Sequence, residues 1–223
     1  MSKIKIDITT KEWTYGEHVG FTLKICDGCK IHIDWGDGKC GATDTYDAGD
    51  GWVHYGHCYK EKDSTYSIIV SSDHEDGISG FNGSGCYEVH TNSVDVQECP
   101  EIEEFGYSGD PEMTMPIDLS QNTRLRSVSL RDLGCAAFDF SANRELVSVE
   151  ISECDNITSL NLTKNDRLEK LTVTFCKGLR RIGVSNRSAL KNVRLEATEA
   201  DRNSIDCIKR VVGENGGELD IGG

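Results

Sequence analysis

The residues best suited to chemistry in this chain are its cysteines and histidines. Ten cysteines occur: Cys26, Cys29, Cys40, Cys58, Cys86, Cys99, Cys135, Cys154, Cys176 and Cys207. Cys26-Asp27-Gly28-Cys29 has the spacing of a metal-binding or redox pair. With Cys40 and Cys58 it offers four thiolates of the kind that hold zinc tetrahedrally. The strand pattern argues against that four-thiol site. Cys29 opens the alternating run KIHIDW and Cys40 follows the turn at its far end. About six extended residues, roughly 20 Å, then separate the two thiols. A Cys26–Cys29 pair across a tight turn remains, as thiols or as a disulfide. Strands rather than a helix start flank it, which does not suit a redox-active pair.

The six histidines are His18, His32, His54, His57, His74 and His90, so nothing beyond residue 90 has an imidazole for proton transfer or metal binding. His54 and His57, three apart on a strand, face opposite ways and make a poor chelate. His32 alternates with Ile31 and Ile33 and is expected on the other side from them. No Ser/His/Asp order, phosphate loop or nucleophile elbow is present. The acidic loops DAGDG and DHEDG lack EF-hand spacing. No catalytic residue, metal or cofactor is assigned on this reading.

The elements that position these residues are constrained by composition. The chain has 223 residues, 38 Asp plus Glu against 24 Lys plus Arg, and a formal charge of −14. That acidity disfavours nucleic acid, whose phosphates need a basic face, and anionic membranes likewise. No apolar run approaches the ~20 residues of a membrane span. The opening MSKIKIDITT alternates and does not read as a signal peptide, which implies an intracellular chain or one that has lost its leader. With 23 Gly and only 3 Pro, many turns between short strands are expected.

From about Ser93 an apolar-x-apolar pair recurs every 10 to 12 residues, for example Val128/Leu130, Val149/Ile151, Leu160/Leu162, Leu171/Val173, Ile182/Val184 and Val193/Leu195. Most pairs have another apolar residue three positions earlier. Asn122, Asn143 and Asn165 follow alternate pairs by three. Cys154 and Cys176 follow the intervening ones, and Cys99 follows the first pair, Val94/Val96. Each pair predicts a short strand with alternate residues inward, and stacking is what buries that face. An inward Asn amide can bond neighbouring coils, and a thiol is expected to fill the same small slot, making Cys99, Cys154 and Cys176 buried structural thiols. The unit LxxLxLxxN or LxxLxLxxC, clearest in LVSVEISEC, LEKLTVTFC and ITSLNLTKN, resembles the leucine-rich repeat family over roughly residues 86 to 196. With two strand-like stretches per coil, both solenoid faces are expected to carry strands.

Two outward rows follow from the repeat. Asp95, Asp118, Asp139 and Asn161, flanked by Ser120, Ser141, Thr163 and Ser185, are monotonous. Ser129, Arg131, Glu150, Lys170, Thr172, Arg194 and Glu196 are chemically mixed, as a specific binding surface requires. The mixed row is taken as the candidate binding site. Glu88 to Glu112 holds eight acids and no Lys or Arg, and reads as a solvated surface or a contact for a basic partner.

After Leu195 the pattern changes. Ile205, Ile208 and Val212 take helical spacing, Gly213 or Gly216 can stop the helix, and Glu218 to Ile221 can add a strand. This ending resembles the helix-plus-strand caps of bacterial leucine-rich repeat proteins. Residues 1–80 show short alternating runs separated by turn clusters. There IDWGDGK followed by HCYKEKDSTYSIIV resembles the PKD-like fold: Trp35-Gly36-Asp37-Gly38 matches its hairpin, and His57, Tyr59, Tyr66, Ile68 and Val70 its later strands. Trp35 is expected in the core, with Asp37 a turn residue rather than a calcium ligand.

The expected fold class is mainly β: an immunoglobulin-like PKD sandwich (1–80), a leucine-rich repeat solenoid (81–196) and a helical C-terminal cap (197–223). The resemblance implies a non-enzymatic protein that binds a protein or glycan partner, without nucleic acid or membrane insertion. A monomer and a cell-surface or secreted setting fit it. Different classes of function stay open: a structural or assembly component such as a phage particle subunit, or an accessory module of a glycan-processing enzyme.

Overall fold

Most of the alternating runs become strands; none forms at Ile117/Leu119, and Phe138/Phe140 flank only the single bridge made by Asp139. The computed structural model describes residues 1–11, 17–41, 44–85 and 89–222. Cys86 and Glu88 lie outside them. In β1 (Lys3–Thr10), Ile4, Ile6 and Ile8 are buried while Lys3, Lys5 and Asp7 reach solvent. β1 lies between β6 (Thr65–Ser72) and β8 (Val89–Glu98), both antiparallel to it, and β3 (Ile31–Asp34) completes a four-stranded sheet in the order β3-β6-β1-β8.

Among the described residues the main sheet has ten strands. Its antiparallel end is β4 (Asp44–Gly49), β5 (Trp52–Tyr59), β2 (Glu17–Ile25) and β7 (Ile78–Ser84). From β7 it continues through β9 (Glu104–Asp110), β10 (Ser127–Leu133), β11 (Ser148–Ser152), β13 (Lys170–Thr174), β15 (Asn192–Glu196) and β16 (Glu218–Gly222), all parallel. Register partners Glu104–Ser127–Ser148–Lys170–Asn192 lie 23, 21, 22 and 22 residues apart. One such step is one coil of a β-solenoid of about six turns. The boundary expected between residues 80 and 81 falls inside β7. That strand is hydrogen-bonded to β2 on one side and β9 on the other, so one sheet runs through it. Val94 and Val96 lie on β8 in the four-stranded sheet, and Asn122 Nδ2 donates 3.0 Å to Val96 O, so β8 also starts the solenoid's second face. That face continues through the Asp139–Asn161 bridge and the pair β12 (Ser159–Leu162) and β14 (Arg181–Val184).

A single cluster fills the interior, from Ile4, Phe21, Leu23, Trp35 and Phe81 to the inward pairs of every coil. Each fully buried Leu, Ile or Val contributes about 1.5–3 kcal/mol relative to exposure. No coil could bury both its faces alone.

The coil corners are built by two devices. Asn122, Asn143 and Asn165 are fully buried and each donates Nδ2 to two carbonyls of the preceding coil: Val96 and Cys99, Leu119 and Asn122, Phe140 and Asn143, at 2.7–3.1 Å. Ser188, buried, donates to Leu168 O at 2.9 Å, and Asn215 donates to Ser188 O and Leu190 O at 2.8 and 2.9 Å, which carries the line on. Cys99 shares this corner. Cys154 and Cys176 do not: they follow main-sheet strands, and their thiols approach Ser152 O and Thr174 O. The single slot expected for both residue types is therefore two, one on each side of the coil. Burial pushes the Cys99 and Cys154 thiols up to about 12 and Cys176 up to about 11, so all three stay protonated and inert.

The second device is backbone. Gly109, Asp132, Glu153, Phe175 and Ala197 each sit two residues after the second residue of an inward pair (Tyr107, Leu130, Ile151, Val173 and Leu195), with φ of 79, 51, 57, 56 and 48°. This left-handed turn costs a non-glycine residue roughly 1–2 kcal/mol. It is held by coil-to-coil bonds such as Glu153 N to Thr174 O and Phe175 N to Glu196 O, both 2.9 Å. Ala197→Gly should raise stability by about 0.5–1 kcal/mol, the relieved strain exceeding the added freedom of the unfolded chain. A higher urea midpoint at unchanged m-value would be the result; a lower one would mean that the lost methyl packs for more than the strain costs.

α1 (Arg202–Glu214) is N-capped by Asp201, which accepts 2.8 Å from Ser204 N, and ends at Asn215 before Gly216 at φ 65°. Ile208, Val211 and Val212 are buried, and the helix packs on β14 and β16.

Candidate functional site: the outward face of the main sheet

Because the sheet is continuous, its outward side chains form rows that cross all ten strands. The central row follows the register: Tyr46, His54, Thr22, Asn82, Gly106, Ser129, Glu150, Thr172, Arg194, Asp220. All seven residues of the mixed row lie on this face, on β10, β11, β13 and β15. Glu150, Lys170, Thr172 and Arg194 line one groove of about 380 Å³ with Asn192, Glu218 and Asp220. Ser129, Arg131 and Glu196 lie outside its lining. Arg194 Nη2 is 2.5 Å from Glu196 and its Nε 3.9 Å from Asp220, while Arg131 pairs with Glu153 at 2.9 Å. Such exposed pairs contribute little stability and leave cations and anions interleaved at the surface.

The sequence reading did not place the other half of this face. A second groove of about 390 Å³ is lined by Thr22, His54, Asn82, Ser84 and Ser108. Tyr46, 53% exposed, stacks on His54 with centroids 4.5 Å apart. Trp52 lies across Gly80, where an added Cβ would stand 2.7 Å from the indole, and Lys24 Nζ sits 6.0 Å from that ring and 2.6 Å from Glu104. Gly80 and Gly106 keep the centre low enough for Trp52 and Asn82 to lie over it. No motif in the sequence announces this row, because its register comes from antiparallel pairing of β2, β5 and β7.

The other candidates resolve differently. Asp95, Asp118, Asp139 and Asn161 each accept from the N–H two residues on, at 3.0, 2.9, 2.9 and 3.1 Å, so that row is committed to turns. Five acids of the 88–112 stretch meet bases from elsewhere: Glu98 with Lys3, Glu101 with Arg124, Glu103 with Arg126, Glu104 with Lys24 and Glu112 with Lys11. Of the free thiols, Cys40 and Cys58 are exposed.

In the Trp35-Gly36-Asp37-Gly38 hairpin, Trp35 is fully buried, Gly36 and Gly38 have φ of 77 and 81°, and Tyr59 donates 2.7 Å to Trp35 O. Asp37 accepts from Lys39 N and Nζ, and its Oδ2 lies 3.0 Å from Nε2 of His57, which is fully buried and stacked on Trp35. Sequence spacing did not reveal this pair. Burial alone would raise the Asp37 carboxyl, but hydrogen bonds from Lys39 and His57 outweigh it and hold it at about 2, against 3.8 ordinarily. The folded value is depressed, so the stabilisation is complete above about pH 4 and disappears as pH falls through about 2. Asp37→Asn should remove that acid-dependent component: urea midpoints of wild type and variant converge between pH 4 and 2. A constant gap over that range would refute it.

Among the described residues no helix is long and apolar enough to cross a membrane. Comparison of the chain with protein-family models, with curated proteins and with solved structures found no match.

Proposed function

We propose that this chain is a non-enzymatic binding protein that engages a protein or glycan partner through the outward face of its main sheet. In this reading residues 1–80, completed by β8, are a PKD-like sandwich, 81–196 a leucine-rich repeat solenoid that shares β7 with it, and α1 with β16 the cap that covers the last coil. Presentation at a cell surface, as in adhesion, follows by analogy with proteins of that architecture. The observation that carries the reading is the register-matched row from Tyr46 to Asp220, with aromatic and polar groups at one end and interleaved charges in the groove at the other. Rigid strands present that variety without ordering cost at binding. The test uses the intact chain against a printed glycan array and a displayed-peptide library. Lys170→Glu with Arg194→Glu should weaken the selected ligands roughly tenfold or more, while the far-UV spectrum stays unchanged. Selected ligands that bind the variant as tightly as the wild type would reject this groove as the site.

A structural or assembly role has one observation of its own. β16 is the last strand of the main sheet, and Ile221 on it is 43% exposed, an edge suited to pairing with another chain. Concentration-dependent dimerisation abolished by Ile221→Lys would favour that reading.

A further inference from the structure

The chain brings together a second set of chemically able groups, far along the sequence from the solenoid. The β2–β3 turn carries Cys26 and Cys29, paired as a disulfide with Cα atoms 5.5 Å apart, and Gly28 between them has φ 77° with open space around it. The turn after β6 carries Asp73 and His74. One ligand atom each from Cys29, Asp73 and His74 lies within 4.8 Å of the others. The two turns are tied by backbone: Asp73 N donates to Lys30 O at 3.2 Å, Cys26 N to Gly77 O at 3.1 Å, and Lys30 N to Asp73 Oδ1 at 2.8 Å. Ser2 N donates to His74 O at 3.2 Å, which fixes the start of β1 against them.

We propose that Cys26, Cys29, Asp73 and His74 form a zinc site that opens when the Cys26–Cys29 disulfide is reduced. Two thiolates, an imidazole and a carboxylate are a ligand set zinc takes tetrahedrally. The bond from Lys30 N to Asp73 Oδ1 orients that carboxylate beside His74, whose Nε2 lies 4.0 Å from the same oxygen, and an outer partner of this kind supports a metal ligand. Neither Cys40 nor Cys58 is needed, which separates this site from the four-thiol set that strand geometry disfavours. The chemistry balances in two steps. A small dithiol gives two electrons and two protons to the Cys26–Cys29 bond and is itself oxidised to a cyclic disulfide, leaving two protein thiols. Zn²⁺ then binds both sulfurs, His74 and Asp73, and the two thiol protons go to solvent. In the oxidised form each sulfur spends its bonding on the other, so zinc and the disulfide exclude one another.

The test is metal binding by the full chain, with zinc and with cobalt as probes. After reduction and removal of the reductant, native mass spectrometry should show one zinc gained with loss of two protons. Cobalt should give the visible bands of a tetrahedral site together with sulfur-to-metal charge transfer. The oxidised chain should show neither. Cys26→Ser with Cys29→Ser should abolish binding, and His74→Ala should weaken it roughly tenfold or more, while Cys40→Ser and Cys58→Ser leave it unchanged. If the cysteine variant misfolds, His74→Ala and Asp73→Asn carry the test with the turn intact. Equal zinc affinity of oxidised and reduced chain, or loss of binding on Cys40→Ser or Cys58→Ser with His74→Ala neutral, would overturn the proposal.

Discussion

Trp35→Ala should cost about 3–5 kcal/mol, the range for truncating a fully buried aromatic. Trp35 has no exposed surface. Its ring stacks 4.8 Å from His57 and lies 5.6 Å from Phe21, and its Nε1 donates 2.5 Å to Gly41 O. His57 cannot fall into the gap because it is tethered to Asp37, and Tyr59 is held by its hydrogen bond to the residue 35 carbonyl. The interest lies in what unfolds with it. The three tryptophans, Trp13, Trp35 and Trp52, all precede residue 53, so fluorescence reports the first half alone, while far-UV circular dichroism reports every strand. β7 is bonded to strands of both halves, so unfolding the first half strips β9 of a neighbour and exposes Phe81 and Phe105, whose rings lie 5.7 Å apart. Both probes should therefore follow one transition, in wild type and, at lower urea, in the variant. Two separated transitions would show that the shared sheet does not couple the halves energetically.

What was legible in the sequence tracks what is local. The inward residues of each coil repeat every 11 or so positions, and a strand's two-residue period fixes their direction, so the core from Val128 to Leu195 and the asparagine corners could be read directly. The seven mixed-row residues share a face for the same reason. The rest depends on pairing between distant segments that no repeat carries. Nothing in β8 distinguishes a strand of the four-stranded sheet from a coil of the solenoid until β1 is beside it, since both environments bury Val94 and Val96. The aromatic half of the outward face needs β4, β5, β2 and β7 in register, and nothing local to Gly80 and Gly106 signals that Trp52 and Asn82 lie above them. Cys99 and Cys154 follow apolar pairs by the same three residues, yet turn opposite corners. Asp37 with His57, and Cys29 with His74, meet across 20 and 45 positions (57 − 37 and 74 − 29), and sequence spacing carries no signal for either.

The asparagine corner makes the sharpest test of how coils are joined. Asn143→Ala should cost about 2–3 kcal/mol. Nδ2 of Asn143 donates to Leu119 O and Asn122 O, both at 2.9 Å. Those carbonyls also accept from Asn122 N and Leu125 N at 3.1 Å, so each is left half-satisfied rather than orphaned. Each lost bond is then worth about 1 kcal/mol, and the vacated space adds roughly as much again. Against this, Oδ1 of Asn143 is buried without a partner among the described residues, and its removal returns part of the loss. Asn143→Asp separates donation from packing, since it keeps the shape. At neutral pH the carboxylate donates nothing and sets an unpaired charge against two carbonyl oxygens, costing about 3–5 kcal/mol. Protonation restores one donor. The folded-state pKa of that aspartate lies above its unfolded value, so the penalty is full at high pH and relieved as pH falls through the folded value. Urea midpoints of Asn143→Asp should therefore rise relative to Asn143→Ala on acidification from pH 7 to pH 5. A pH-independent gap between the two variants would mean that the corner is held by fit alone, and that donation from the amide contributes nothing to stacking the coils.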